Sequence, residues 1–477
     1  MSDLSRYIEL DADAYRTMSG VELARGVARG AYSPRQLAEL ALTLAREAEP
    51  TVNAYVGLRE EAALAEAAVL EKEARDGRLR SPLHGVPIAS KDNMYLAGEP
   101  ARKGSRTTDE APARVSSPFV QRLVDAGTVV IGRTTTPEFG WKGTGISPLT
   151  GVTRNPWDPT RNSGGSSAGS GATVGSGAVP IATGSDAGGS VRIPAAFCGT
   201  VGLKPTLSAI PVWPGTVNEN LSHAGPLTRT VADCRAVLDI ARGPDARDPQ
   251  SAFVRADPAV TGRPLRVGVV RRPFGITPSD EVAARTDVAL ALLERSGIAR
   301  FEELDLDTAI PRDIFEGLWV TGRGHGFADL IRAQGDAMDP GLVRLLPLAE
   351  EYALPDFLRV VQARRAFNSE LFAVFDRVDL LLMPTMPLVA FEADQEVPRG
   401  GEAEAKLPWI TWTPYTYPFN VSGQPALTVP FDLGDGRLPV GLQVVGAFSA
   451  DDTVLAFAEA VERVLAPTNE LVVAPRR

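Results

Sequence analysis

Residues 164–194 read GGSSAGSGATVGSGAVPIATGSDAGGSVRIP, a run of small side chains with Ser166 and Ser190 at its two glycine-flanked corners. No ordinary core element needs such a run. Glycine reaches backbone conformations with positive φ, and successive N–H groups in such a turn form a concave nest for an oxyanion. The segment SAGSGATVGSGA reads as a helix whose small residues permit close packing, and VPIATGS as the strand after it. Ser190 then falls in the loop leaving a strand's carboxyl end, where α/β proteins place ligand sites. It is the candidate nucleophile, directly after Gly188 and Gly189.

Upstream, GVPIASKDN places Lys91 at the end of a short apolar strand. Together, Lys91, Ser166 and Ser190 resemble the Ser-cisSer-Lys triad of the amidase signature family. GRTTTPEFGW (132–141), FCGTVGLKPT (197–206) and PFNVSGQPALTVP (418–430) resemble further landmarks of that family, in its order, so the resemblance spans most of the chain. As a whole the chain is similar to metagenome-derived urethanases of the same family. One departure is Ala168, where the family often has glycine. Alanine there requires φ below zero.

The resemblance implies an α/β fold: a mixed, twisted β-sheet core covered by helices on both faces. It also implies one amidase-signature domain over 1–477, with an N-terminal helical wrap (1–80), a catalytic core (81–240) and the remainder of the α/β core (241–477). The sequence has the patterns for this. Ser19 with Glu22 and Ser33-Pro34 with Gln36 are helix starts, a third helix runs from about Glu60 to near Gly77, and another opens at Ser117-Pro118 and closes at Gly127. VVIGR (129–133) and Leu265 to Val270 read as buried strands, and Ser279 to Ser296 as a helix closed by Gly297. The polar stretch VPRGGEAEAK (397–406) reads as a mobile surface loop.

With 44% hydrophobic and 23% charged residues, the 477-residue chain has the composition of an ordinary globule with ample core. A formal charge of -10 works against nucleic-acid partners, which need a surplus of Lys and Arg on one face. Two cysteines, Cys198 and Cys234, are too few for a disulfide framework and read as structural. The N-terminal residues lack a signal-peptide pattern, and no apolar run approaches membrane-spanning length. The expectation is a cytoplasmic monomer or homodimer with no cofactor and no metal.

Only His84, His223 and His325 are available for a Ser-His-Asp triad, and the serine in GGSVR does not fit G-x-S-x-G. A surface or core role suits each histidine better. A phosphate-loop reading of the glycines fails because GxxxxGK[ST] does not occur. Lys91 must be neutral to accept a proton, so burial has to lower its pKa from near 10.4. An ion pair with Asp92 is the alternative. Ser166 would relay the proton between Ser190 and Lys91, and the resemblance implies a cis Gly165-Ser166 bond; a helix N-cap is the alternative for this serine.

The N–H groups of Ala187, Gly188, Gly189 and Ser190 would form the oxyanion hole. Ser167, Ser185, Asp186 and Arg192 are supporting residues, the last two as an ion pair or loop anchors. Trp409, Trp412, Tyr415 and Tyr417 are candidates for an apolar substrate pocket, or plain core. The reading is a serine hydrolase of amide-type bonds that acts on amides and carbamates through an acyl-enzyme on Ser190. Its rivals are a glutamine-amidotransferase subunit supplying ammonia for a reaction on charged tRNA, and a catalytically dead binding protein on the same scaffold.

Overall fold

The computed structural model describes residues 7–218, 221–255, 257, 263–431, 438–466 and 474. The chain opens with α1 (Ala12–Thr17), α2 (Gly20–Ala28) and α3 (Pro34–Val52). The expected capping box at Ser19 is formed in both directions with Glu22, and Ser33 Oγ accepts from Gln36 N with Pro34 in the first turn. These bonds satisfy N–H groups that a helix start leaves orphaned. α4 (Glu60–Arg75) lies against α3, and with β1 (Tyr55–Leu58) the helices bury their apolar faces in one cluster that includes Leu37, Ala41, Ala63 and Val129.

Next come β2 (Pro87–Lys91), α5 (Pro118–Asp125), β3 (Val129–Thr134), a two-stranded ribbon of β4 (Ile146–Ser147) and β5 (Gly151–Val152), α6 (Ala168–Gly175), β6 (Ile181–Asp186), α7 (Arg192–Cys198), β7 (Val201–Lys204) and β8 (His223–Thr228). After α8 (Val231–Ala241) the chain adds β9 (Arg266–Val269), α9 (Asp280–Ser296), β10 (Arg300–Glu303), α10 (Arg312–Gly326), β11 (Leu380–Pro384), β12 (Ala426–Phe431) and β13 (Val440–Gly446). Eleven strands form one sheet in the order β1-β3-β2-β6-β8-β7-β12-β13-β11-β9-β10. Parallel pairs (β2 with β3 and β6, β9 with β10 and β11) mix with antiparallel ones. Strands β2, β3, β6, β7, β8, β11, β12 and β13 are buried almost throughout, so both faces of the sheet are covered.

Two features of this sheet position the site. First, β2 and β6 are parallel neighbours, with Ile88 opposite Ile181 and Ala89 opposite Ala182. Their carboxyl ends, Lys91 and Asp186, therefore reach the same edge. Second, α6 is composed of small residues because backbones crowd it: a Cβ on Gly169 would lie 2.1 Å from Ala54 O. Ala168 is the first residue of this helix, so its φ is negative and the departure from the family's glycine costs nothing. The 397–406 stretch is a series of turns, mostly exposed, with Glu402 bridged to Arg312.

Candidate active site

Lys91 ends β2 with no exposed surface. Its Nζ lies 2.8 Å from Ser166 Oγ, 3.0 Å from Ser167 Oγ and 2.9 Å from Ser185 Oγ. Asn93 Nδ2 donates to the same Ser185 hydroxyl at 2.9 Å. Asp92, the alternative partner for the lysine, instead faces Arg133 at 3.7 Å, and burial pushes its carboxyl up to about 6. Burial pulls the Lys91 ammonium well below its ordinary range; the Asp186 carboxylate opposes this and the Arg323 guanidinium adds to it.

Ser166 follows a cis peptide bond from Gly165. Its side chain turns toward Lys91 and leaves the N-cap of α6 to Ser167. Ser167 Oγ bridges the elements, accepting from Ser185 N and donating to Ser185 O, both at 3.3 Å. Ser167 N donates to Ser190 O at 3.1 Å, which ties the first serine corner to the second.

The loop carrying Ser190 is held from below by a carboxylate. Asp186 Oδ1 accepts from Gly189 N at 2.7 Å, and Oδ2 accepts from Val191 N at 3.1 Å. Arg192 grips both oxygens at 3.0 Å and reaches Thr416 O, Gln443 and Asn420. Burial alone would raise the Asp186 carboxyl, but Arg192 and Asn420 hold it well below the usual carboxylate range. The pair is fully buried and anchors the loop. Gly189 has φ of 122°, and a Cβ there would meet Thr416 Oγ1 at 2.3 Å, so glycine is required on both counts.

The geometry corrects two expectations. Gly189 N–H is committed to Asp186, so the candidate oxyanion donors narrow to Ala187, Gly188 and Ser190, whose N–H groups have no partner among the described residues. Trp409, Trp412, Tyr415 and Tyr417 do not line the site cavity. They are buried core: Trp409 packs against Trp319 and Phe315, Trp412 against Phe391, and Tyr415 donates to Ile276 O. Trp409 still matters, because a Cβ on Gly188 would meet its ring at 2.7 Å; it backs the loop from behind.

The cavity itself, about 250 Å³, is reached by Ser166, Ser185, Asp186, Ala187 and Ser190 on its floor. Its walls come from Phe139, Trp213, Val217, Phe327, Lys103 and Arg323. Sequence reasoning missed these because Lys103, Phe139, the Trp213–Val217 pair and the Arg323–Phe327 pair lie on four segments that meet only in the fold. His223 also borders the cavity. Its Nδ1 faces the carbonyls of Leu221 (2.9 Å) and Asp186 (3.2 Å) and therefore carries the proton, and burial pulls the ring well below its ordinary pKa. His223 Nε2, without a partner among the described residues, is then an acceptor.

Residues 36–455 match the Amidase family. The chain belongs to the amidase signature family. Among relatives, it is 35% identical to an acylamidase of Rhodococcus erythropolis over 96% of this chain and 98% of the other. It is 34% identical to a glutamyl-tRNA(Gln) amidotransferase subunit of Chloroflexus aggregans, covering 94% and 96%. Among solved structures, a bacterial aryl acylamidase of the amidase signature family superposes with a TM-score of 0.85 at 27% identity, covering 96% of this chain and 99% of that one. A 6-aminohexanoate cyclic dimer hydrolase in complex with its substrate superposes with a TM-score of 0.83 at 28% identity, covering 96% and 98%. The chain is thus an amidase-signature hydrolase with the family's mixed α/β fold. Among the described residues no helix is long and apolar enough to cross a membrane, and no His, Cys, Asp and Glu cluster could hold a metal ion.

Proposed function

We propose that this amidase-signature hydrolase cleaves C–N bonds of amides and carbamates through an acyl-enzyme on Ser190, with Lys91 as base and Ser166 as proton relay. The observation that carries the reading is a buried lysine bonded to three hydroxyls and, among the described residues, to no carboxylate, beside the cavity that Ser190 lines. A neutral lysine has two N–H donors and one lone pair. Donation to Ser167 and Ser185 leaves the lone pair to accept from Ser166 Oγ–H. Ser166 Oγ is then free to accept the Ser190 proton as Ser190 Oγ attacks the substrate carbonyl carbon.

The oxyanion is held by the N–H groups of Ala187, Gly188 and Ser190, each such donor being worth about 2.7 to 4 kcal/mol of barrier. As the C–N bond breaks, Ser166 returns a proton to the nitrogen, the amine departs, and water hydrolyses the acyl-enzyme. A carbamate leaves an alkyl carbonate on Ser190, which hydrolyses to an alcohol and carbon dioxide. Carbamates are included on the resemblance to urethanases read from the sequence, since the same acyl-enzyme chemistry serves both. The apolar walls Phe139, Trp213 and Phe327 favour a substrate with an aromatic face over free glutamine, the substrate of the amidotransferase reading.

Release of amine from an aryl carbamate and the matching aryl acetamide, by the wild type and by Ser190→Ala, tests this. Cleavage of both by the wild type and of neither by the variant is expected. Inactivity on both with ammonia released from glutamine would replace it by the amidotransferase reading, and equal activity in the variant would remove Ser190 from the chemistry.

A further inference from the structure

The protein as a whole is acidic, yet its active-site cavity is not. Asp186 is the one acid among the described lining residues, and Arg192 neutralises it. Two cations, Arg323 and Lys103, face the same space without an acidic partner among the described residues. Lys103 Nζ donates to Tyr95 Oη at 3.2 Å, at the outer wall. Arg323 is the more constrained group. It projects from α10, is 6% exposed, and lies 4.7 Å from the Trp319 ring centre and 5.8 Å from that of Phe327.

Its Nη1 donates to Phe139 O at 2.7 Å, while its Nε is buried with no partner among the described residues. A guanidinium carries five N–H donors in a planar fork, so most of its capacity is unspent. Burial pulls its pKa down to about 10, which leaves it charged at neutral pH. Burying a cation with neither a counter-ion nor a full set of hydrogen bonds is costly unless an anion completes it.

The backbone link through Phe139 fixes the side of the cavity on which this fork sits. The next residue, Gly140, lies against Ser166: a Cβ on Gly140 would be 3.1 Å from Ser166 Oγ. In the proposed reaction Ser166 protonates the departing nitrogen, so Arg323 stands on the amine side. Phe139 and Phe327 stack there with ring centres 4.7 Å apart, giving a flat apolar wall beside the charge.

We infer that Arg323 is a carboxylate-recognition residue, and that the preferred substrates are amides whose amine half is an aromatic ring bearing a carboxylate. The planar fork matches a carboxylate in a bidentate pair, and the aromatic wall matches the ring. Lys103 adds positive potential at the outer wall. This inference rests on the amide-hydrolase reading for its orientation, and its test separates the two.

The probes are N-acetyl-3-aminobenzoate, N-acetyl-4-aminobenzoate and their methyl esters. For the wild type, kcat/KM for at least one acid is expected to exceed that of its ester tenfold or more. In Arg323→Gln that ratio falls to one or below, and Arg323→Lys retains part of it. A purely structural role on Trp319 and Phe139, or an effect through Lys91, lowers acid and ester equally and leaves the ratio unchanged, which would overturn the inference. So would ratios near one for both wild-type pairs. If the wild type cleaves none of the probes, the hydrolase reading fails on these amides, and calorimetric binding to Ser190→Ala decides the subsite by itself. There, at least tenfold tighter binding of an acid than of its ester, lost when Arg323→Gln is added to a variant whose melting curve shows it folded, supports the carboxylate site; equal binding overturns it.

Discussion

Two lysines of this chain share every general property. Lys91 ends β2 and Lys204 ends β7; both are fully buried, and burial pulls both ammonium groups well below the ordinary lysine range. They differ in what they touch. Lys91 meets three serine hydroxyls beside a cavity, whereas Lys204 donates to the carbonyls of Pro205, at 3.2 Å, and Gln424. A carbonyl can only accept, so Lys204 can tie chain segments together but has nothing to take a proton from. A hydroxyl both gives and accepts. A depressed pKa makes a lysine available as a base, and the chemistry of its neighbours decides whether that availability is used.

The largest effect expected is from Lys91→Met: kcat/KM on an aryl amide falls by about 10³-fold or more, because general acid-base assistance is worth about 10² to 10⁴. Its thermal melting is expected to change little. A melting point that collapses together with activity would make Lys91 structural, like Lys204. Ser166→Ala is expected to cost about 10²-fold and leave weak turnover, since a water molecule can stand in for a hydroxyl relay more readily than for the base. Full activity in this variant would break the proposed relay.

Lys204→Met reverses the pattern. The deprived carbonyls of Pro205 and Gln424 are expected to cost about 1 to 3 kcal/mol of stability in denaturant unfolding, with kcat/KM within about threefold of wild type. Loss of turnover comparable to Lys91→Met would erase the distinction between the two lysines.

The smallest expected effect is on pH dependence. For both lysines the folded-state pKa lies below the unfolded value near 10.4, so between the two the unfolded chain binds more protons and stability rises with pH. Each Met substitution removes its share of that slope. On the proposed mechanism only Lys91 shapes the rate, which in the wild type and in Lys204→Met is expected to increase with pH as Lys91 loses its proton. A kcat/KM profile of Lys204→Met displaced from wild type would show the two sites to be coupled.

The same contrast between local and distant neighbours governs what could be read from the chain before folding. Lys91, Ser166, Ser167, Ser185 and Ser190 sit in or beside glycine-rich segments whose composition makes little sense as core, so function is the economical reading of them. The helix starts at Ser19 and Ser33 were legible because capping is local. The cavity wall was not. Phe139, Trp213 and the Arg323–Phe327 pair come from three separate segments, and an aromatic's side of the backbone depends on packing that no short window contains. The dense cluster from Trp409 to Tyr417 is the visible candidate for that reason, and it is buried core, with Trp409 behind the Ser190 loop. Gly189 likewise looked like its neighbours until the Asp186 carboxylate claimed its N–H.

The parallel pairing of β2 with β6 has a consequence for how the protein comes into being. Lys91 and the serine loop are distant along the chain and meet only because those two strands lie side by side. Parallel strands close a long loop before any contact rewards it, which makes this a late step in assembly. A partly folded chain, or one emerging during synthesis, is therefore expected to lack the Lys91–serine contacts that the proposed nucleophile needs, even when each local motif has formed. During refolding, the return of turnover reports that β2 has docked against β6.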